Sequence, residues 1–278
     1  MFGPAIGGCL YDLGGFSLPF FVTGIAMMLF SFMSLLFFTE ELHDGIQNGS
    51  QNVSWMDIWK VAGVQIGIFA IFFAGMSKRW YTASLGPFLK YSYGLSSSQI
   101  GLVCMPFGLA YTLFAPFVGF ITDKGLNSLI TIIVGKLLIL LSNLFLGPIP
   151  PISAIMWVTV AAITLQGIGS AFAYIGTLTF MTKRVLDSGL PKTEQASAMV
   201  SSLWLASECM GCFIGSTLGS VAFDTVGFQM GTLILACSMG GAVFIVVIQA
   251  WRTGGLVASR YGSLEHDEKT LLCSGDLK

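Results

Sequence analysis

Long apolar runs broken by short polar segments set the pattern of this chain. A helix that crosses a bilayer needs about 20 mostly apolar residues. On that template the sequence predicts seven complete spans, at 17–38, 61–81, 99–120, 129–147, 153–180, 196–222 and 228–251. Residues 3–10 read as the tail of an eighth, too short to cross alone. No charged region with a small-residue cleavage site precedes Ser17, so no signal peptide is expected. The segment 39–59 is the one long polar stretch between spans and reads as a hinge linker, with six spans after it.

The two ends of the chain echo each other. Gly3, Gly7, Asp12, Gly15 and Phe16 recur as Gly215, Gly219, Asp224, Gly227 and Phe228, five identities at one offset, and an apolar span follows each copy. The chain therefore reads as duplicated and as beginning inside one repeat. Small residues four apart let helices approach closely in lipid, and a proline there bends a helix whose freed backbone groups neighbours can satisfy. Gly3, Pro4, Gly7, Gly8, Gly215 and Gly219 are accordingly expected to pack and gate helices.

Composition agrees with the span pattern. Hydrophobic residues make up 54% and charged residues 10% of the chain, against about 25% charged in a soluble domain. The solvent that matters is the lipid bilayer. A net charge of -1 gives no footing for nucleic acid. Of the 6 cysteines, all but Cys9 and Cys273 fall in apolar spans, so a disulfide framework is not expected. Cys209 and Cys212 have CxxC spacing but no second pair to complete a zinc site. Neither a metal nor another cofactor is expected.

Orientation follows from the basic residues of alternate loops. One side holds Lys60, Lys124, Lys183, Arg184, Lys192, Arg252, Arg260, Lys269 and Lys278; the other holds Lys78, Arg79 and Lys90. The richer side is expected to be cytosolic, with the linker and the carboxyl tail. Two sequons in the linker, at Asn48 and Asn52, point the other way; the charge count is given the greater weight.

Ionisable groups at membrane depth cost on the order of 2.5 to 3.5 kcal/mol each on insertion scales and are functional candidates by default. Glu208 is the main one, mid-span among Trp204, Ser207 and Cys209. A carboxyl so placed can carry a proton or pair with a cationic substrate, but not both at once, which is the logic of exchange. A plain packing role is the competing reading. Lys136 is expected to snorkel to the cytosolic interface. Lys78, Arg79, Trp80 and Tyr81, near the end of their span, are expected to anchor it, with substrate gating the alternative. Gln65, Asn143, Gln166 and Tyr174 either line a cavity or bond neighbouring helices. Nothing resembles a nucleophile, base and orienter set or a phosphate-cradling loop, so an enzyme is not expected.

These residues match a known family. Gly3-Pro4-x-x-Gly7-Gly8 resembles the antiporter motif that closes the fifth helix of major facilitator superfamily exporters, and Gly119-x-x-x-Asp123-Lys124 resembles that superfamily's short cytosolic loop signature. The run from Trp80 to Leu89, Ile100 to Val103, Ala115-Pro116 and Leu146 to Pro150 are similar to the vesicular amine transporter family (solute carrier family 18), nearest its polyamine-type member. The resemblance covers 3–251. It implies an all-α transmembrane fold with a complete carboxyl-terminal six-helix bundle at 61–251 and, at 1–38, the end of helix five and helix six of an amino-terminal bundle. The linker is then 39–60, and 252–278 is a cytosolic tail. The chain departs from the pattern at Thr82-Ala83, where relatives place an acid before proline, and in lacking arginines after Lys124.

The expected function is proton-coupled antiport of small organic cations, amines or polyamines, by alternating access. Substrate would lie between Tyr81, Gln166, Tyr174 and Glu208, with protons as the coupling partner. Asp267, Leu271 and Leu272 form an acidic dileucine pattern of the kind vesicular members carry, so sorting adaptors are further expected partners. The membrane would be vesicular, endosomal, lysosomal or plasma. Two alternatives stand beside this reading. One is a truncated, non-transporting fragment or regulatory isoform. The other, remote, is a seven-span receptor, which the internal duplication and the lack of Asp-Arg-Tyr and Asn-Pro-x-x-Tyr motifs disfavour.

Overall fold

In the computed structural model, residues 3–37, 55–147, 156–189 and 194–252 are described, and they form nine helices with the turns that join them. These are α1 (Gly3–Gly14), α2 (Ser17–Phe37), α3 (Trp55–Lys60), α4 (Ala62–Tyr93), α5 (Ser97–Asp123), α6 (Ser128–Leu146), α7 (Met156–Asp187), α8 (Glu194–Val226) and α9 (Phe228–Arg252). The sequons and the dileucine pattern at Asp267, Leu271 and Leu272 lie outside the described residues, as does most of the linker.

Six helices, α2 and α5 to α9, are long and apolar enough to cross a membrane. The expected seventh, at 61–81, needs correction. Its helix, α4, runs 32 residues to Tyr93, about 48 Å at a rise of ~1.5 Å per residue. It has the length to span but carries Ser77, Lys78 and Arg79 at its middle instead of an unbroken apolar run. The charges do not end the helix: adjoining helices supply partners for Lys78, and Arg79 is exposed. Pro87 lies within it, and the stop comes at Gly94, in the left-handed region at φ 64, whose N–H bonds the Lys90 carbonyl. The Lys78 to Tyr81 anchor is therefore not at a helix end. Trp80 and Tyr81 are buried in the bundle.

Helix α4 is the axis of the bundle and touches α3 and each of α5 to α9. Its tightest neighbour is α8, which runs parallel to it. Gly211, Gly215 and Gly219, one turn apart, lie against the backbone of Phe72, Met76 and Trp80, with no room for a Cβ at any of the three. Helices α6 and α7 meet through Gly135 and Gly169 in the same manner. Apolar clusters fill the rest, for example Ile71, Ala74, Ile139, Ala173, Tyr174 and Met239.

The echo between the chain's ends has a backbone counterpart. Gly15 (φ 69) and Gly227 (φ 81) both take the left-handed conformation, ending α1 and α8 before the apolar helices α2 and α9. The glycine faces differ, however: a Cβ at Gly3 or Gly7 would meet nothing, whereas Gly8 abuts the Ser97 carbonyl of α5. Asp12 completes that contact, its Oδ2 accepting from the Ser98 N–H at 3.0 Å and from the Ser98 hydroxyl. It thereby satisfies a helix-start donor beside the Ser96–Gln99 capping box. Helix α2 has no residue buried within its apolar window and shows Phe20, Phe21, Met27 and Phe30 to its surroundings, as a lipid-facing helix does.

Candidate functional site

Four long helices converge near their middles on one carboxylate. Glu208 of α8 has its backbone against Gly75 of α4, and only a glycine leaves room for that approach. Its Oε1 lies 3.3 Å from the ammonium of Lys78 on α4 and accepts from the Tyr174 hydroxyl of α7 at 3.1 Å. The Lys78 ammonium also sits 4.9 Å from the centre of the Tyr174 ring. Tyr174 in turn meets Tyr111 of α5 and Trp204 of α8 edge-on, at 6.4 and 5.8 Å between ring centres. The Glu208 side chain is 14% exposed and that of Lys78 34%, so the pair lies at the edge of an opening and not in sealed core.

A second polar group lies deeper. The Ser77 hydroxyl, fully buried, accepts from Asn143 Nδ2 of α6 at 3.3 Å and from Gln166 Nε2 of α7 at 3.1 Å. The carbonyl oxygens of both amides and the Tyr81 hydroxyl are buried with no partner among the described residues. Buried polar atoms are normally paired, so this cluster holds unspent hydrogen-bonding capacity.

The structure thus brings Tyr174 and Glu208 together but gives the other two expected substrate contacts different neighbours. Gln166 joins Ser77 and Asn143, and Tyr81 stacks on Phe107 at 6.3 Å. Lys136 corrects another expectation. It is fully buried, its ammonium on the Ala70 carbonyl of α4 at 2.8 Å, and does not snorkel, because that carbonyl holds it inside the bundle. Gln65 is exposed and takes the other expected role, bonding a neighbouring helix: it donates to the Trp59 carbonyl of α3 at 3.1 Å. Cys9, Cys104, Cys209, Cys212 and Cys237 are free thiols, and Cys212 is turned toward the Gly75 carbonyl.

At the turn between α5 and α6, Gly119 stands in open space and Asp123 is exposed, while the Lys124 ammonium lies 4.2 Å from the centre of the Phe120 ring. Lys183 of α7 donates to the Thr122 carbonyl at 3.0 Å and ties this turn to the bundle.

Two participants are not evident from the sequence. Lys78 reads as an anchor because the apolar window closes at Tyr81; the lack of any glycine or proline stop before Pro87, Gly86 apart, is the available signal that the helix continues. Tyr111 carries no signal beyond being a tyrosine in an apolar helix. The residue after Lys78 completes the charge pattern. Arg79 is exposed at the middle of α4 and makes no ion pair or hydrogen bond with a described residue.

Comparison with known proteins gives one consistent answer. Residues 67–259 match the family model described as Major Facilitator Superfamily. Three curated relatives are each named MFS-type transporter SLC18B1. The Homo sapiens protein is 24% identical over 239 residues, covering 84% of this chain and 50% of its own. The Rattus norvegicus protein is 26% identical over 238 residues, with shares of 84% and 50%, and the Mus musculus protein 25% over 236 residues, with 82% and 50%. The chain spans about half the length of the curated relatives it matches. These matches agree with the resemblance to solute carrier family 18 and leave no ground for a seven-span receptor. With six helices long and apolar enough to cross a membrane among its described residues, this multi-pass membrane protein belongs to the Major Facilitator Superfamily, whose members are transporters rather than enzymes.

Proposed function

We propose that this protein moves small organic cations across a membrane by alternating access, coupled to protons through Glu208. One observation carries the reading: a single carboxylate oxygen at mid-bundle is shared by the Lys78 ammonium and the Tyr174 hydroxyl. Lys78 occupies the seat of a substrate amine. While it stays there Glu208 is neutralised, which avoids the cost of a bare carboxylate in a low-dielectric interior. When Lys78 swings away, a substrate ammonium or a proton takes over. Because the carboxylate cannot serve both, binding of one releases the other, and exchange follows. The faces of Tyr174, Tyr111 and Trp204 offer cation–π contact to the arriving amine.

Gln166 and Tyr81, with their free Oε1 and hydroxyl, supply further polar contacts as the helices part. In this reading 61–251 works as one bundle rocking about the linker at 39–60 against the bundle to which 1–38 belongs. The glycine seams at Gly215 and Gly219 and, within the Gly3 to Gly8 motif, the approach of Gly8 to α5 keep those helices close as they move. Gly119, Asp123 and Lys124 gate the cytosolic end, and Asp267, Leu271 and Leu272 of the tail direct sorting to vesicles or endosomes. The test uses proteoliposomes holding the protein, acidic inside. They should accumulate a small amine such as phenethylamine, and Glu208→Gln should abolish the accumulation. Undiminished uptake by that variant would remove Glu208 from the mechanism.

A further inference from the structure

Charge counting around Glu208 leaves a residue that the exchange of cations does not use. Lys78 and Glu208 cancel, and Arg79 adds a positive charge that no described residue offsets. A guanidinium stays protonated at any accessible pH, so the surplus is permanent. A simple cation seated on Glu208 would displace Lys78 and stand near two uncompensated basic side chains. That makes it a weaker site for a molecule whose only charge is positive than for one that also carries an anionic group.

The position of Arg79 relates it to the same opening. Gly75, whose missing side chain admits Glu208, and Arg79 are four residues apart on α4 and so share one face of the helix, a single turn apart. On α8 the matching face carries Glu208 and, four residues on, Cys212, which is turned toward the Gly75 carbonyl. Beyond Arg79 the exposed side of α4 continues through Thr82 and Lys90 and includes half-buried Gly86, a run of polar and small residues unlike a lipid-facing surface. The Thr82 hydroxyl donates to the Lys78 carbonyl, which leaves its lone pairs outward. The nearest acid in sequence at that end of α8, Asp224, is exposed and forms no ion pair with Arg79 or Lys90.

We infer that Arg79 is an anchor for a carboxylate, and that the molecule this cleft takes is a zwitterion, its amine on Glu208 and its carboxylate on the Arg79 guanidinium. The inference rests on the proposed role of Glu208 and narrows its substrate class. A planar guanidinium matches a carboxylate through two parallel N–H donors, and a zwitterion brings its own counter-charge to the surplus cation. The carboxylate has a second conceivable source, an acidic side chain on a helix packed over this face, and the experiment separates the two.

Phenylalanine and phenethylamine share a ring and an amine and differ only in the carboxylate. Their binding to the purified protein in lipid nanodiscs is measured by titration calorimetry at neutral pH. Phenylalanine should bind the wild type about tenfold more tightly than phenethylamine. Arg79→Gln should remove that preference by weakening phenylalanine while leaving phenethylamine at or somewhat above its wild-type affinity, since a repelling charge is gone, and Arg79→Lys should keep part of it, since charge remains but the fork is lost. Equal or tighter binding of phenethylamine by the wild type overturns the proposal. So does no saturable phenylalanine binding, or an equal loss of both ligands in Arg79→Gln. A drop in thermal stability in that variant with neither affinity changed assigns the carboxylate to protein and also overturns it. Glu208→Gln reports on the underlying reading separately. Should it leave phenethylamine binding intact while Arg79→Gln still abolishes the preference, the carboxylate anchor stands and the cation seat fails.

Discussion

Lys78 of α4 and Glu208 of α8, 130 residues apart in the chain, hold their charged groups 3.3 Å apart near the middle of the bundle. Because the two helices are locked in parallel by the glycines at 211, 215 and 219, this pair cannot drift apart without a movement of one side chain. Removal of one partner leaves the other unpaired in a partly dry site. Lys78→Met or Glu208→Gln alone should therefore lower stability by about 1–3 kcal/mol, the cost of orphaning a charged hydrogen-bonding group. The double variant should lose less than the two singles together, as contacting residues do. Detergent-unfolding curves of the four proteins check this; strict additivity would mean the pair is not energetically coupled.

Glycine substitutions should change sign with position. Alanine is favoured over glycine in a helix by about 1 kcal/mol, so Gly119→Ala, which meets open space, should raise stability slightly. Gly215→Ala must push against the Met76 carbonyl and should lower stability by about 1–3 kcal/mol, as overpacking does. The same unfolding measurement distinguishes the two, and equal effects would contradict the packing described for α4 and α8.

Lys136 offers three donors and uses one, on the Ala70 carbonyl. Replacing a buried polar group of this kind by an apolar side chain of similar length is often neutral or stabilising by about 1–4 kcal/mol. Lys136→Met is accordingly expected to fold and to melt at or above the wild-type temperature. A large loss of stability would show that the amine has partners beyond that carbonyl.

Asp12 ties α1 to the start of α5, and the Ser98 hydroxyl and N–H hold its carboxyl below the usual Asp value of 3.8. A depressed carboxylate contributes stability that is fully present above its unfolded pKa and is lost as pH falls through the lower folded value. The contact should therefore survive mild acidity, about pH 5, and loosen only below the ordinary Asp value near 3.9. Spin labels at the exposed positions Tyr11 and Leu102 can follow the separation. In Asp12→Asn the two should move apart at neutral pH.

The helical plan was legible because each spanning run declares itself by length, and the echo between the ends has its counterpart in the left-handed turns at Gly15 and Gly227. What misled was the inference that a charged pair closes a span. Lys78 and Arg79 lie mid-helix because α7 and α8 give Lys78 a ring and a carboxylate, and no local window can see a partner that distant in sequence. Lys136 failed for the same reason: depth along its own helix suggested snorkelling, while the enclosing helices decided otherwise. Glu208 and Tyr174, which the structure brings into contact, stood out in the sequence because a carboxylate and a phenol at membrane depth are costly enough to be conspicuous singly. The Ser77 cluster was only half visible, since serine at mid-helix is ordinary until amides from two other helices converge on it.

The central claim is that an amine and a proton compete for Glu208. Its most direct test is the affinity of the purified protein in nanodiscs for phenethylamine as a function of pH, in the wild type and in Glu208→Gln, since a shared site makes binding and protonation oppose each other. The wild type should bind more weakly as the pH falls, because a protonated carboxyl no longer holds the ammonium, and the variant should bind weakly at every pH with no slope. Equal affinities and parallel pH dependences in the two proteins would contradict the account.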